Sequence, residues 1–213
     1  PLENIDLMKG REAQIEELRR SIERWENGMG GPIAILGEPR SGKSTLVSIA
    51  VKELLGERTV VRVQAPAGGS SDPDELRRAI VQAVGGREGQ SAEIALRAMP
   101  PGAVLIIDGL GRWLERSHGG LAAIKLWRQL WRRLGERHLF VVTATPYTWD
   151  YVRQLCGLDQ GFLSITWCDA VSSKELKELI LLRQRTSDFE LELSGPSSKR
   201  RRRAAGWNDQ AQL

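Results

Sequence analysis

The sequence predicts an α/β fold, a parallel sheet covered by helices on both faces. Two observations carry this. Five short, strongly apolar segments are spread along the 213 residues, and stretches of helical periodicity fill the intervals between them. Strands alternating with helices make βαβ units, whose crossovers place helices over both faces of a parallel sheet. The strand candidates are Pro32–Leu36, Thr59–Gln64, Ala103–Ile107, Leu139–Thr143 and Phe162–Trp167. All five are mainly runs of apolar residues, the pattern of strands buried on both sides.

The helices follow in order. Glu12–Trp25 repeats Ile15, Leu18, Ile22 and Trp25 at helical spacing, and Ser44–Leu55 follows the first strand directly. Pro73–Val84 begins with a proline suited to a first turn, after Asp72 as a capping residue. Ser91–Met99 is shorter. Leu121–Leu134 sets Leu121, Ile124, Trp127, Leu130, Trp131 and Leu134 on one face and its Lys and Arg residues on the other, so Trp127 and Trp131 read as core. Tyr147–Leu155 and Ser173–Gln184 complete the set. Trp25, Trp149 and Trp167 fall at element ends, where half-burial is expected.

Composition narrows the function classes. Apolar residues make up 41% and charged residues 27%, which excludes a collagen-like or wholly disordered chain. The formal charge is +4, but Lys199, Arg200, Arg201, Arg202 and Arg203 form one run of five cations; taking those five from +4 leaves the rest at −1. A broad nucleic-acid-binding surface therefore does not follow from the pI of 9.4. No apolar stretch approaches the roughly 20 residues that span a bilayer. The opening PLENIDLMKGRE lacks a signal-peptide shape and an initiator Met, and reads as an internal start. Cys156 and Cys168 stand alone, which argues against a zinc site or a disulfide framework and for a reducing cytoplasm. The stretch after Asp188 has turn formers, the basic run and almost no periodicity, and reads as a linker or tail.

Between the first strand and its helix lies Gly37-Glu38-Pro39-Arg40-Ser41-Gly42-Lys43-Ser44, a full match to GxxxxGK[ST]. The glycines let the backbone curl so that successive N–H groups face phosphate oxygens. The positive end of the following helix, reached through Thr45, strengthens the anion site. Lys43 reaches the β- and γ-phosphates and the Ser44 hydroxyl ligates Mg²⁺. The strand Ala103–Ile107 ends in Asp108, a carboxylate placed to hold the same Mg²⁺. Gly109 follows it where many ATPases carry an acidic residue that polarises the attacking water, and Glu115 is the nearest carboxylate downstream. At the end of the fourth strand Thr143 and Thr145 supply hydroxyls close to the γ-phosphate position. These features predict an ATP and Mg²⁺ site.

The arrangement resembles the AAA+ superfamily and its signalling relatives, the STAND NTPases, over about residues 6–185. Four features carry the resemblance: Gly10-Arg11-Glu12 before the first helix, the loop GEPRSGKS, the strand and turn LIIDGLGRW, and five strands spaced as a 5-1-4-3-2 sheet requires, with the start of a helical lid at Ser173–Arg185. It implies a three-layer αβα P-loop fold with a core over 1–170, a partial lid over 171–190 and a basic tail over 191–213 belonging to a longer protein. It also implies adenine contacts from Leu7 and Met8, and an arginine completing a neighbouring protomer's site, for which Arg153 is the residue in the expected interval. In NACHT-type relatives DGL continues with an acidic pair, whereas Gly111 and Arg112 stand here, so slow or assembly-dependent hydrolysis is expected. No sensor 2 arginine can be placed, Arg183 and Arg185 fitting only an unusual lid. The GTPase pattern DxxG occurs at Asp108–Gly111, but no NKxD follows; an LSGGQ signature is also absent.

The resulting expectation is an ATPase that acts as a nucleotide-dependent switch or assembly engine in bacterial signalling or phage defence. It pictures a homo-oligomer built through the ATPase face, with a fused or bound effector domain. The alternative is a nucleic-acid-binding ATPase of the origin-recognition or transposition-regulator kind.

Overall fold

Each of the five apolar segments becomes a strand in the computed structural model, which describes residues 10–169 and 172–185. The strands are β1 (Ile33–Leu36), β2 (Val60–Val63), β3 (Val104–Ile107), β4 (Leu139–Ala144) and β5 (Ser164–Trp167). All pair in parallel, in the order β2-β3-β4-β1-β5, which is the expected 5-1-4-3-2 sheet. β1, β3 and β4 are buried at every position, as continuous apolar runs require. The helices are α1 (Glu12–Glu26), α2 (Lys43–Leu54), α3 (Pro73–Ala83), α4 (Ala92–Ala98), α5 (Ala122–Leu134), α6 (Pro146–Cys156) and α7 (Ser173–Arg185).

Local chemistry sets the helix starts. Asp72 accepts from the Asp74 N–H with Pro73 in the first turn, and Ser91 accepts from the Ile94 N–H. Thr145 caps α6, so the helix begins at Pro146, one residue before the expected Tyr147. Ser172 and Glu175 form a reciprocal capping box at α7, each side chain accepting from the other's backbone N–H. A 3₁₀ turn at Leu110–Trp113, not signalled by periodicity, follows Gly109, whose φ of +84° lies in the left-handed region.

The core gathers the inner faces of the sheet, α3, α4 and α5. Trp127 and Trp131 are buried, as their helical spacing predicts, and Phe162 packs against both and against Trp149 at centroid distances of 5.0–6.1 Å. Trp25 and Trp149 depart from half-burial. Both are buried, and Trp25 can be because its Nε1–H donates to the Gly135 carbonyl at 2.7 Å. Trp167 is 49% exposed, at the end of an edge strand.

The chain from Gly10 through β5 makes one compact unit, and α7 belongs to a second. Arg183 and Arg185 lie within α7. Leu7, Met8 and the run Lys199–Arg203 lie outside the described residues, as do the whole of the expected tail and part of the expected lid. Among the described residues no helix is long and apolar enough to cross a membrane.

Candidate functional site

Strand order brings the three predicted elements to one edge of the sheet. β4 lies between β1 and β3, with Leu36 opposite Ala144 and Ile107 opposite Val142. The loop after β1, Asp108 after β3 and Thr143 near the end of β4 thus meet at the carboxyl ends of parallel strands, where open α/β sheets hold ligands.

The loop from Gly37 to Gly42 is shaped by close approach. A Cβ at Gly37 would stand 2.3 Å from the Cys168 carbonyl oxygen and 2.6 Å from Ser41 Oγ, so nothing larger than glycine fits. Gly42 has φ +94° and directly precedes α2. Arg40 has φ +65°, the single non-glycine residue in the left-handed region among the described residues. Glu38, Pro39 and Arg40 are exposed. No side chain caps α2, which leaves the first-turn N–H groups at Lys43, Ser44 and Thr45 without intrahelical partners. Lys43 Nζ donates to the Gly37 and Glu38 carbonyls at 2.8 and 2.7 Å, folding across the loop.

Across the edge, Asp108 Oδ1 accepts from Ser44 Oγ at 3.1 Å and from Thr143 Oγ1 at 2.7 Å. The Gly109 N–H donates to Thr143 Oγ1 at 2.8 Å. Thr143 is fully buried, and one hydroxyl both orients the carboxylate and holds the turn after it. The residue after Asp108 needs a positive φ, so glycine serves the backbone where an acid was looked for. Glu115 is exposed, and no described contact joins it to Asp108, Ser44 or Lys43. Arg112 donates to the Pro66 and Ala67 carbonyls at 2.8 and 3.1 Å and braces the loop after β2.

The remaining predicted residues stand apart from this cluster in their contacts. The Thr145 hydroxyl accepts from the Thr148 N–H and bonds Thr148 Oγ1 at 2.9 Å. Arg153 lies on α6, about half exposed, 3.2 Å from Asp150. Two arginines outside the motifs are engaged elsewhere: Arg133 pairs with Glu93 at 2.7 Å, and Arg137 donates to the Arg97 and Met99 carbonyls. The motif reading missed Arg11, whose guanidinium reaches the phosphate loop; the Gly10-Arg11-Glu12 triplet was its one signal.

The arrangement suits a nucleoside triphosphate with a divalent cation. A hydroxyl and a single carboxylate share a bond, a hard oxygen set that matches Mg²⁺ completed by phosphates and water. Backbone donors and a mobile ammonium face the same edge.

A family model of the AAA domain matches residues 27–202. The chain belongs to the AAA family. This AAA domain is a P-loop NTPase of the AAA+ superfamily, and solved structures share its fold. The Aeropyrum pernix ORC2 protein, solved as ADPNP-ADP complexes, is 20% identical with a TM-score of 0.65, covering 84% of this chain and 52% of that one. The Aeropyrum pernix ORC1 protein in complex with DNA is 16% identical with a TM-score of 0.66, covering 84% and 50%. Cdc6p from Pyrobaculum aerophilum is 14% identical with a TM-score of 0.62, covering 84% and 50%. The AAA domain thus spans about half the length of these structures. No curated protein matches it in sequence.

Proposed function

We propose that this AAA domain binds ATP with Mg²⁺ and hydrolyses it as a nucleotide-dependent switch or assembly module. The bond from Ser44 Oγ to Asp108 Oδ1, with Thr143 on the same oxygen, carries the reading, because it joins the phosphate loop to the carboxylate that a metal–phosphate site needs. The loop amides from Gly37 to Thr45 and Lys43 would hold the phosphates, and Ser44 and Asp108 the metal. Bound ATP would supply the phosphoryl group whose transfer to water is the reaction. Thr143 is the better placed of the two threonines to respond to the γ-phosphate, since its hydroxyl already engages Asp108. Arg153, about half exposed, is offered as the group that completes a neighbour's site in a homo-oligomer. The ADPNP-ADP complexes of the Aeropyrum pernix ORC2 protein support nucleotide binding. We divide the chain into a core over 1–170, a lid over 171–190 and a tail over 191–213, coupled to an effector domain and acting in the cytoplasm in bacterial signalling or phage defence, the last on resemblance to STAND proteins.

Lys43→Ala removes the mobile cation, and ATP binding measured by calorimetry with Mg²⁺ should be lost. Unchanged affinity would refute the site. A second reading, a DNA-binding ATPase, draws on the Aeropyrum pernix ORC1 protein in complex with DNA and on the run Lys199–Arg203. DNA affinity with a steep salt dependence, lost on deleting that run, would favour it.

A further inference from the structure

Arg11 ties the phosphate loop to the exit of β5. It is 5% exposed, and its Nη2 donates to the Ser41 carbonyl at 2.8 Å and to the Asp169 carbonyl at 2.5 Å. Charge-assisted bonds of this kind are about twice as strong as neutral ones, and burial shields them from water. Ser41 O also accepts from Cys168 Sγ at 3.3 Å. The missing Cβ of Gly37 leaves room for the Cys168 carbonyl, so the chain leaving β5 touches both ends of the loop.

The loop geometry follows from this contact. In a planar trans peptide the C=O and the next N–H point in opposite directions. Holding Ser41 O toward Arg11 therefore aims the Gly42 N–H the other way. A shift of Ser41 O when the loop is filled changes both bonds it accepts, and the guanidinium making one of them also holds Asp169.

We propose that Arg11 is a positioning residue: it orients the Gly42 N–H for phosphate and relays occupancy of the loop to Trp167–Asp169, the segment that leads toward α7. The proposal rests on the nucleotide reading above. Such a relay operates only as far as the filled and empty loops make different bonds to Arg11.

The test compares the wild-type chain with Arg11→Met, which keeps an apolar stem and removes the donors. ATP affinity is measured by calorimetry, and amide hydrogen exchange is followed over 37–45 and 164–169 with and without MgATP. In the wild type nucleotide should slow exchange in both segments. In Arg11→Met the slowing should persist at 37–45, vanish at 164–169, and accompany an affinity about tenfold weaker. A purely structural residue would alter exchange at 164–169 equally with and without nucleotide. Slowing at both segments in the variant with affinity within about twofold of wild type overturns the relay, as does a wild type that slows at the loop alone. Should Arg11→Met lack a cooperative thermal transition, Arg11→Gln is read by the same criteria; if neither folds, Arg11 is a fold element and the positioning role falls. A wild type that binds no nucleotide is a separate result, which overturns the nucleotide reading and the relay together.

Discussion

Asp108 is held from two sides by hydroxyls, and the buried one has no freedom to leave. Thr143 gives its proton to the carboxylate and its lone pair to the Gly109 N–H. Thr143→Val keeps the shape and removes both bonds, leaving the partly buried Gly109 N–H without its partner and Asp108 Oδ1 with Ser44 Oγ alone. The loss should be about 1–3 kcal/mol, read as a lower thermal midpoint. ATP turnover should fall by a larger factor than ATP affinity, because the carboxylate loses its orientation while the loop is intact. Another buried residue bears on pH. His138 is fully buried, its Nε2 lies 2.9 Å from the Leu96 carbonyl, and its Nδ1 has no described partner. The ring is neutral, with Nε2–H donating. Burial chiefly, aided by the nearby Arg137 charge and opposed by the Leu96 bond, holds its pKa below the ordinary histidine value. The unfolded chain therefore takes up this proton at a higher pH than the folded one. The stabilising contribution is complete above about pH 6.5 and is lost as pH falls from there toward the depressed folded value. His138→Gln keeps a donor and does not titrate. The advantage of the wild type over it in thermal midpoint should narrow between pH 7 and pH 5.

At the scale of elements, the two helices flanking the site begin differently. α6 is capped by the Thr145 hydroxyl with Pro146 in its first turn, whereas α2 has no side-chain cap and keeps its first-turn donors open. A helix start without a cap costs stability unless a ligand or water satisfies it, so the open end of α2 suits anion binding. Thr145→Ala should cost about 1 kcal/mol of stability through the lost cap. If capping is its whole task, ATP affinity stays near wild type, measured by calorimetry beside the melting curve. A selective loss of ATP over ADP affinity would instead return Thr145 to the γ-phosphate. α5 shows helical spacing at its most legible: Ile124, Trp127, Leu130, Trp131 and Leu134 are all buried on one face. The cap at Asp72 was equally legible, because it bonds a backbone group two residues away, whereas Ser91, read only as the first residue of its helix, proves to cap it through the Ile94 N–H.

At the scale of the whole molecule, no described carboxylate joins Asp108, Lys43 and Ser44 as a base. Positioning and charge stabilisation supply most of the acceleration in phosphoryl transfer, and an arginine given by a neighbour is worth about 10³–10⁵ in rate. A monomer should therefore turn over below about 1 s⁻¹, the lower end of typical turnover numbers. Activity per protomer should rise with protein concentration. Arg153→Ala should abolish that rise while leaving ATP affinity nearly intact, since such a group acts in the transition state. Specific activity against concentration for both proteins decides it. A flat and fast wild-type profile refutes assembly, and a variant that keeps the rise clears Arg153.

What the sequence determined by itself was local: the strands, from continuous apolar runs; the helices, from spacing and caps; and the phosphate loop, because eight consecutive residues make it. Resemblance added the strand order, and the paired strands agree with it. Only the tertiary structure decided the contacts that turn these pieces into a site. Asp108 meets Thr143 across 35 residues because β4 inserts between β1 and β3. Arg11 meets Ser41 and Asp169 across 30 and 158 residues because α1 packs beside β5 and α2, the elements that flank the loop. The burial of Trp25 likewise depended on the Gly135 carbonyl arriving from 110 residues away. Residue type and spacing encode what a segment does with its neighbours in the chain. A side-chain bond between distant strands depends on which strands adjoin and in what register, and those are set by the packing of the whole core.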